Sequence, residues 1–410
     1  MVSAQNENIT NEVQLLREQN ILLQKQLQKQ NNALDTLTKK VDVLESAARE
    51  NAGDETAPAS GGYNFGKVNL SAEGGVAFFN TGNGGFAPAS EFRVDEARLF
   101  VEAPIWNEVY FYGDIDLATR ENTDPDVYFG ELYLDCQDVS QLWGRDSQLN
   151  IRAGRMFVPF GEEYLYRFGI DNPLISHSLS DLWGYDQGVE VYGKLGEFSY
   201  VAAVLNGGGN GLQAFDGDKS IVGRISYDPN AHLHFSVSGM RTGDLTLAGD
   251  MISATWFAGS FFTGIGSPQT TVFRADLVEG DATVHWKSGQ VRVWGGFARY
   301  EDNDPLADNG RDIFYYAVEA TQNLPAKFYV ASRFSQIFVN HGYPLVGFGN
   351  YEDYCEVLTS RMWRLSLGAG YRFSPNLVLK VEYAFEGGET VGDQSRDNEN
   401  FFGTEAAFKF

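Results

Sequence analysis

The chain closes on Gly403-Thr404-Glu405-Ala406-Ala407-Phe408-Lys409-Phe410, a stretch that alternates strictly and stops on an aromatic residue. Thr404, Ala406, Phe408 and Phe410 fall on one side of an extended chain, and Gly403, Glu405, Ala407 and Lys409 on the other. Period two with one apolar and one polar side is a strand with one face in water. An ordinary amphipathic edge strand reads the same way, so the rest of the chain decides what the apolar face meets.

Composition narrows the choice. There are 45 glycines and 14% aromatics, but hydrophobic residues make up only 43% of the chain, and mean hydropathy is −0.28. No stretch approaches the ~20 apolar residues that a membrane-crossing helix needs. Only a closed barrel could still cross lipid with every backbone group satisfied. A terminal aromatic strand also resembles the last strand of bacterial outer-membrane barrels, with Phe408 and Phe410 as the barrel-end signal. No basic segment followed by an apolar one opens the chain, so Met1 reads as an added or start residue on a mature, exported protein. Two cysteines, Cys136 and Cys355, are too few for a disulfide framework. The strand positions place them near opposite barrel ends.

The N-terminus is a separate object. Val13, Asn20, Leu27, Leu34, Val41 and Ala48 fall at heptad position a, and Ile9, Leu16, Leu23, Gln30, Leu37 and Leu44 at d. This register predicts a coiled coil over 1–50, which needs partner chains. Asn20 and Gln30 weaken the seam while fixing register and oligomer state. Two or three strands are both open from the pattern. Residues 51–62 read as a linker by composition.

From residue 63 to 410, alternating runs are separated by alternately short and long connections, as in an up-and-down membrane barrel. Short turns are expected at 104–107, 143–146, 196–197, 228–230, 287–289, 323–325 and 374–376. Long polar connections are expected near 80–91, 119–127, 159–187, 206–218, 241–269, 301–311, 339–358 and 386–400. The expected fold is therefore an all-β barrel of sixteen antiparallel strands with both chain ends on the short-turn side. Leu377, Leu379, Val381, Tyr383 and Phe385 point outward, which turns Lys380 and Glu382 in. The same parity places Arg98, Arg152, Arg224, Arg333 and Arg364 inside, with Glu96, Asp114, Asp116, Glu131, Asp135, Glu190 and Glu319. A soluble sandwich encloses its apolar face. Here the enclosed face is charged, which predicts a water-filled lumen.

Two stretches resemble the phosphate-selective (O/P-type) porin family of Gram-negative outer membranes: Phe92-Arg93-Val94-Asp95-Glu96-Ala97-Arg98-Leu99, and Gly154-Arg155-Met156-Phe157-Val158-Pro159-Phe160-Gly161-Glu162-Glu163. The resemblance covers roughly residues 63–410. It implies a homotrimer of barrels, each with its third long loop folded into the lumen as a constriction, and so favours three strands for the coiled coil. The family's anion selectivity rests on lysines and arginines along the pore.

Charge argues against that last property. The net charge is −24, and residues 1–50 contribute almost nothing to it. Acids crowd the outer loops, where an acidic mouth concentrates cations. The constriction loop carries Glu162, Glu163, Asp171, Asp181 and Asp186 against Arg167. Facing Arg98, Arg155, Arg224 and Arg333 across an eyelet, those carboxylates would set up a transverse field rather than a phosphate ladder. The expected function is passive diffusion of small hydrophilic solutes and ions with a slight cation preference, in the bacterial outer membrane. The alternatives are an anion- or phosphate-selective porin and a mainly structural anchor. The coiled coil spans about 60–70 Å at 1.5 Å per residue, enough to reach peptidoglycan or another cell-wall polymer across the periplasm. The expected partners are two further copies, membrane lipid and lipopolysaccharide.

Other chemistry is thinly represented. The five histidines show no helical metal spacing. Asp302-Asn303-Asp304 with Asp308-Asn309-Gly310 lacks the sixth-position glycine and closing glutamate of a calcium loop. No enzyme, cofactor, fixed metal site or nucleic-acid partner is expected; loosely held divalent cations at the acidic outer loops are the one exception.

Overall fold

The computed structural model describes residues 63–65, 67–119, 127–207, 218–247, 261–262, 269–349 and 358–410. The predicted coiled coil, the linker and Cys355 lie outside them. Among the described residues sixteen long strands form one antiparallel sheet that closes on itself. In chain order they are β1 (Val68–Thr81), β2 (Glu91–Trp106), β3 (Val109–Ala118), β4 (Tyr128–Cys136), β5 (Asn150–Phe157), β6 (Tyr185–Leu195), β7 (Phe198–Leu205) and β8 (Ser220–Asn230). There follow β9 (Leu233–Arg241), β10 (Val272–Trp286), β11 (Gly289–Asp302), β12 (Arg311–Asn323), β13 (Phe328–Tyr343), β14 (Thr359–Ser374), β15 (Leu377–Thr390) and β16 (Phe401–Lys409). Three short pieces, Tyr63–Phe65, Leu245–Thr246 and Ser395–Arg396, extend the ladder at its rims.

The C-terminal stretch closes the barrel. Phe401 stands opposite Thr81 and Lys409 opposite Glu73, and Phe410 exchanges backbone hydrogen bonds of 2.9 and 3.0 Å with Ala72. Closure leaves no long edge to pair with another chain. Phe408 and Phe410 are exposed on the outer surface, while Glu405 and Ala407 are buried inside. The outward row Leu377 to Phe385 is exposed and the inward Lys380 and Glu382 are buried, as the alternation predicts.

The prolines show how local chemistry sets strand ends. A turn expected at 228–230 lies two residues later, because Pro229 sits in a bulge where Asp228 and Pro229 together oppose His234. Proline has no N–H, and a bulge asks for none. Pro104 is likewise followed by a register shift, between Pro104 and Trp106. The connection expected as a tight turn at 143–146 is a longer segment containing a 3-10 turn, Val139–Trp143.

One expectation fails in part. The enclosed face is not charged throughout: Leu205, Met240, Phe273, Ile313, Tyr315 and Ile337 point inward from β7, β9, β10, β12 and β13 and pack into an apolar cluster. Val158 and Phe160 of the third long loop and Phe261 and Phe262 of the β9–β10 connection complete it. A loop that enters a lumen needs an apolar base to bury its own side chains. The run Ile313-Phe314-Tyr315-Tyr316-Ala317-Val318 already carries that signal, being apolar on both faces, the pattern of a strand covered on both sides.

Candidate functional site

The third long loop, residues 158–184, folds into the lumen, and the barrel wall grips its backbone. Glu382 accepts hydrogen bonds from the amides of Ile175 at 2.6 Å and Ser176 at 2.8 Å. Arg333 donates to the Ser176 carbonyl at 2.7 Å and to Asn172 Oδ1 at 2.9 Å, and its fork also holds Glu319. Lys380 reaches the carbonyls of Gly169 at 2.8 Å and Leu174 at 2.9 Å while paired with Glu405 at 2.6 Å. Arg364 donates to the His177 carbonyl at 2.8 Å and pairs with Glu386 at 2.6 Å. Glu96 accepts the Gly169 amide at 2.9 Å. Each of these charges is buried, and a buried charge is tolerated only when it is paired and hydrogen-bonded.

This arrangement corrects the sequence reading of several residues. Arg333, Arg364 and Glu96 do point inward, but they lie beneath the loop and hold it rather than facing it across open water. Arg155 is elsewhere again. Its Nε donates to the carbonyls of Phe129 and Gly130, both at 3.0 Å, bridging β5 to β4 where their ladder ends. Gly154, at φ +143°, marks the bend; a Cβ there would meet the backbone of Tyr133.

The loop's own acids are mostly spoken for. Glu162 lies 2.9 Å from His234 Nε2 and 3.8 Å from Arg224. Burial alone would raise its pKa, but the His234 hydrogen bond and Arg224 outweigh it and hold the group below the ordinary value. Asp181 pairs with Arg167 at 2.8 Å and His177 at 3.0 Å. Burial again opposes, and again the cations win, leaving Asp181 well below the usual carboxylate range. Glu163 accepts from the Ser178 amide at 2.9 Å, and here burial prevails and raises its pKa. Asp171 is 3.6 Å from Lys409 and more than a third exposed. Asp186, expected in the loop, stands on β6 instead and accepts the amide of Gly207 at 2.7 Å.

With the loop held against β11–β16, open space remains on the β1–β8 side, a cavity of about 510 Å³ between that wall and the loop residues Tyr164, Leu165 and Phe168. Arg98 dominates one end. It pairs with Glu73 at 2.9 Å and Asp116 at 3.0 Å, and also with Asp114. Arg152 pairs with Glu190 at 3.0 Å and approaches Asp135 at 3.7 Å. Arg224 donates to the Gly161 carbonyl and to the Tyr164 hydroxyl at 3.3 Å. Between the arginines lie Phe100, Tyr112, Tyr133 and Tyr192. Parity alone places these rings, Tyr112 among them, since each stands two residues from an inward charge. The loop contacts of Lys380 and Glu382 have no sequence signal, because nothing local reports which backbone a buried charge will meet.

His234 lies between Glu162 and Asp228, and Ser236 donates to Asp281 at 2.9 Å. In the 303–310 loop, Arg311 donates to the carbonyls of Asn309 and Gly310 at 2.8 Å. Among the described residues no three His, Cys, Asp or Glu side chains are grouped as metal ligands, and Cys136 is a free thiol.

No protein-family model and no curated protein matches the chain. Solved structures do match. The trimer form of OmpT, an outer-membrane protein of Vibrio cholerae, gives a TM-score of 0.54 at 14% identity, over 84% of this chain and 99% of that one. The outer-membrane channel DcaP of Acinetobacter baumannii gives 0.57 at 12% identity, over 85% and 99%. An anion-selective porin from Comamonas acidovorans gives 0.53 at 10% identity, over 83% and 98%. At such identities the likeness is one of fold, and the fold is the sixteen-stranded barrel of the outer-membrane porins.

Proposed function

We propose that this protein is an outer-membrane porin that lets small hydrophilic solutes and ions diffuse through a water-filled pore, with a slight preference for cations. The observation that carries this reading is the inserted loop 158–184: it is fixed to one wall by buried charges and leaves a polar cavity along the other. On this reading Arg98, Arg152, Arg224, Asp114, Asp116 and Glu162 border the constriction. Each of the three arginines is already engaged by carboxylate or carbonyl oxygen, so a phosphate would have to displace an existing partner. With a chain charge of −24 concentrated toward the outer loops, the mouth favours cations. Divalent cations held loosely by those loops, bridging to lipopolysaccharide, belong to the same proposal.

The homotrimer is also proposed. OmpT of Vibrio cholerae, whose fold this chain matches, is described in a trimer form. The predicted coiled coil, placed in the periplasm, would trimerise with the barrels and tether the membrane to the cell wall.

The test is a planar bilayer holding purified protein under a KCl gradient. Large ohmic steps with a small cation bias are expected. A clear anion preference, with block by added phosphate, overturns the selectivity reading. Deleting residues 1–50 is expected to weaken envelope attachment while conductance per channel stays the same.

A further inference from the structure

The open cavity carries an array that ion conduction does not require. Phe100, Tyr112 and Tyr133 stack in order across β2, β3 and β4, with centroids 6.3 and 5.0 Å apart and planes inclined by 26° and 22°. Arg98 caps one end, 5.0 Å from the Phe100 centroid, and Arg152 caps the other, 4.3 Å from Tyr133 and 5.1 Å from Tyr192. The three rings are offset from one another rather than fully overlapped, and all three are only half-buried along the cavity wall. The Tyr112 and Tyr133 hydroxyls meet no hydrogen-bond partner among the described residues.

Charge selects what such a surface suits. Arg98, Arg152 and Arg224 are matched around the cavity by Glu73, Glu131 and Glu190. An ion gains little from rings, and a charged solute finds its counter-charges occupied. A solute with apolar C–H faces and a rim of hydroxyls finds both platform and partners: the rings beneath it, and alternating donors and acceptors around it.

We propose that this cavity is a transient binding subsite for neutral cyclic polyhydroxylated solutes, pyranose-type saccharides, with Phe100, Tyr112 and Tyr133 as the stacking platform and the arginine–carboxylate pairs as hydrogen-bonding forks. The proposal rests on the channel reading above. Its volume of about 510 Å³ lies within the ~300–1,000 Å³ usual for small-molecule sites. Binding has to be weak enough to allow exit, as in any conducting pore.

The test is single-channel recording in symmetrical KCl with glucose or maltose added, compared with mannitol as an acyclic polyol, benzoate and tetramethylammonium. Each trace is normalised to the same variant's own KCl current. Saccharides are expected to produce concentration-dependent block that mannitol does not. In Tyr112→Ala/Tyr133→Ala the blocking affinity should fall roughly tenfold, and Tyr112→Phe/Tyr133→Phe, which keeps the rings, should retain most of it. Equal block by mannitol, stronger block by benzoate or tetramethylammonium, or saccharide block unchanged in the alanine variant overturns the proposal while leaving the channel intact. Absence of KCl current from the unaltered protein overturns the channel reading, and this proposal with it.

Discussion

The Glu382 carboxylate on β15 stands 2.6 Å from the backbone nitrogen of Ile175, a residue 207 positions earlier in the chain. The same carboxylate takes the Ser176 amide at 2.8 Å and the Ser176 hydroxyl at 2.5 Å. A single wall residue thus satisfies three donors of the inserted loop. Because two of them are backbone groups, the grip is on the path of the loop as well as on its side chains. Arg333 and Lys380 work on the carbonyls of the same turn, so the donors and acceptors of 169–177 are satisfied from opposite signs of charge.

Glu382→Ala should therefore loosen the loop without dismantling the barrel. A buried donor left unsatisfied costs roughly 1–3 kcal/mol, and here the change strands two amides and a hydroxyl rather than a cation. The expected signs are faster protease cleavage within 158–184 and noisier open-channel current. Glu382→Gln, which keeps an acceptor oxygen, should fall between. If the alanine variant resists protease as the unaltered protein does, the loop is held by other means.

The loop should also loosen in acid. Asp181 is held below the usual carboxylate range by Arg167 and His177 against the effect of burial, and Glu162 by His234 and Arg224. A carboxylate whose pKa is depressed in the folded state stabilises that state fully above its free value, near 3.9 for Asp and 4.3 for Glu. That stabilisation is lost as pH falls through the folded value. Glu163, raised by burial, runs the other way and becomes less favourable as pH rises. Open-channel noise should therefore increase below about pH 4. Asp181→Asn should flatten the response, and superimposable pH profiles for the two proteins would falsify this assignment.

Much of this was legible in the residues, and the exceptions have physical causes. Alternation from Leu377 to Phe385 gives the faces of β15 because a strand's period of two is local. The turn at Gly196-Glu197 and the long connection expected over 159–187, observed over 158–184, follow from local composition in the same way. Arg333 illustrates the limit: its inward direction is local, but its contact with Ser176 crosses 157 residues and leaves no periodic trace. Nor did charge counting show that Glu162 and Asp181 carry their own cations. Net loop charge says how many acids are present, whereas pairing depends on which strands come round to meet them.

The aromatic packing near the rim offers an independent check on the inserted loops. Phe348, in the connection after β13, stacks on Phe401 of β16 with centroids 4.6 Å apart and planes at 11°, and its amide is held by Glu386 at 2.5 Å. Phe348→Ala should cost ~3–5 kcal/mol of local packing, seen as a lower melting temperature in detergent and altered conductance. A melting temperature unchanged within a degree or two would mean that this connection packs there without contributing to the fold.

Arg152 tests how the cavity's charge is balanced. It is the cation shared by Glu190 at 3.0 Å and Asp135 at 3.7 Å, and its guanidinium also lies over Tyr133 and Tyr192. Arg152→Gln preserves length and hydrogen-bonding capacity but removes the charge, leaving carboxylates in excess on one wall of the cavity. If this wall borders the conducting path, the reversal potential in a KCl gradient should move toward the potassium equilibrium value, and the shift should shrink at high salt as the charges are screened. The comparison with Arg333→Gln is informative because Arg333 lies beneath the loop, paired with Glu319. Its loss should disturb loop stability more than selectivity. A selectivity shift from Arg333→Gln with none from Arg152→Gln would place the conducting path on the other side of the loop.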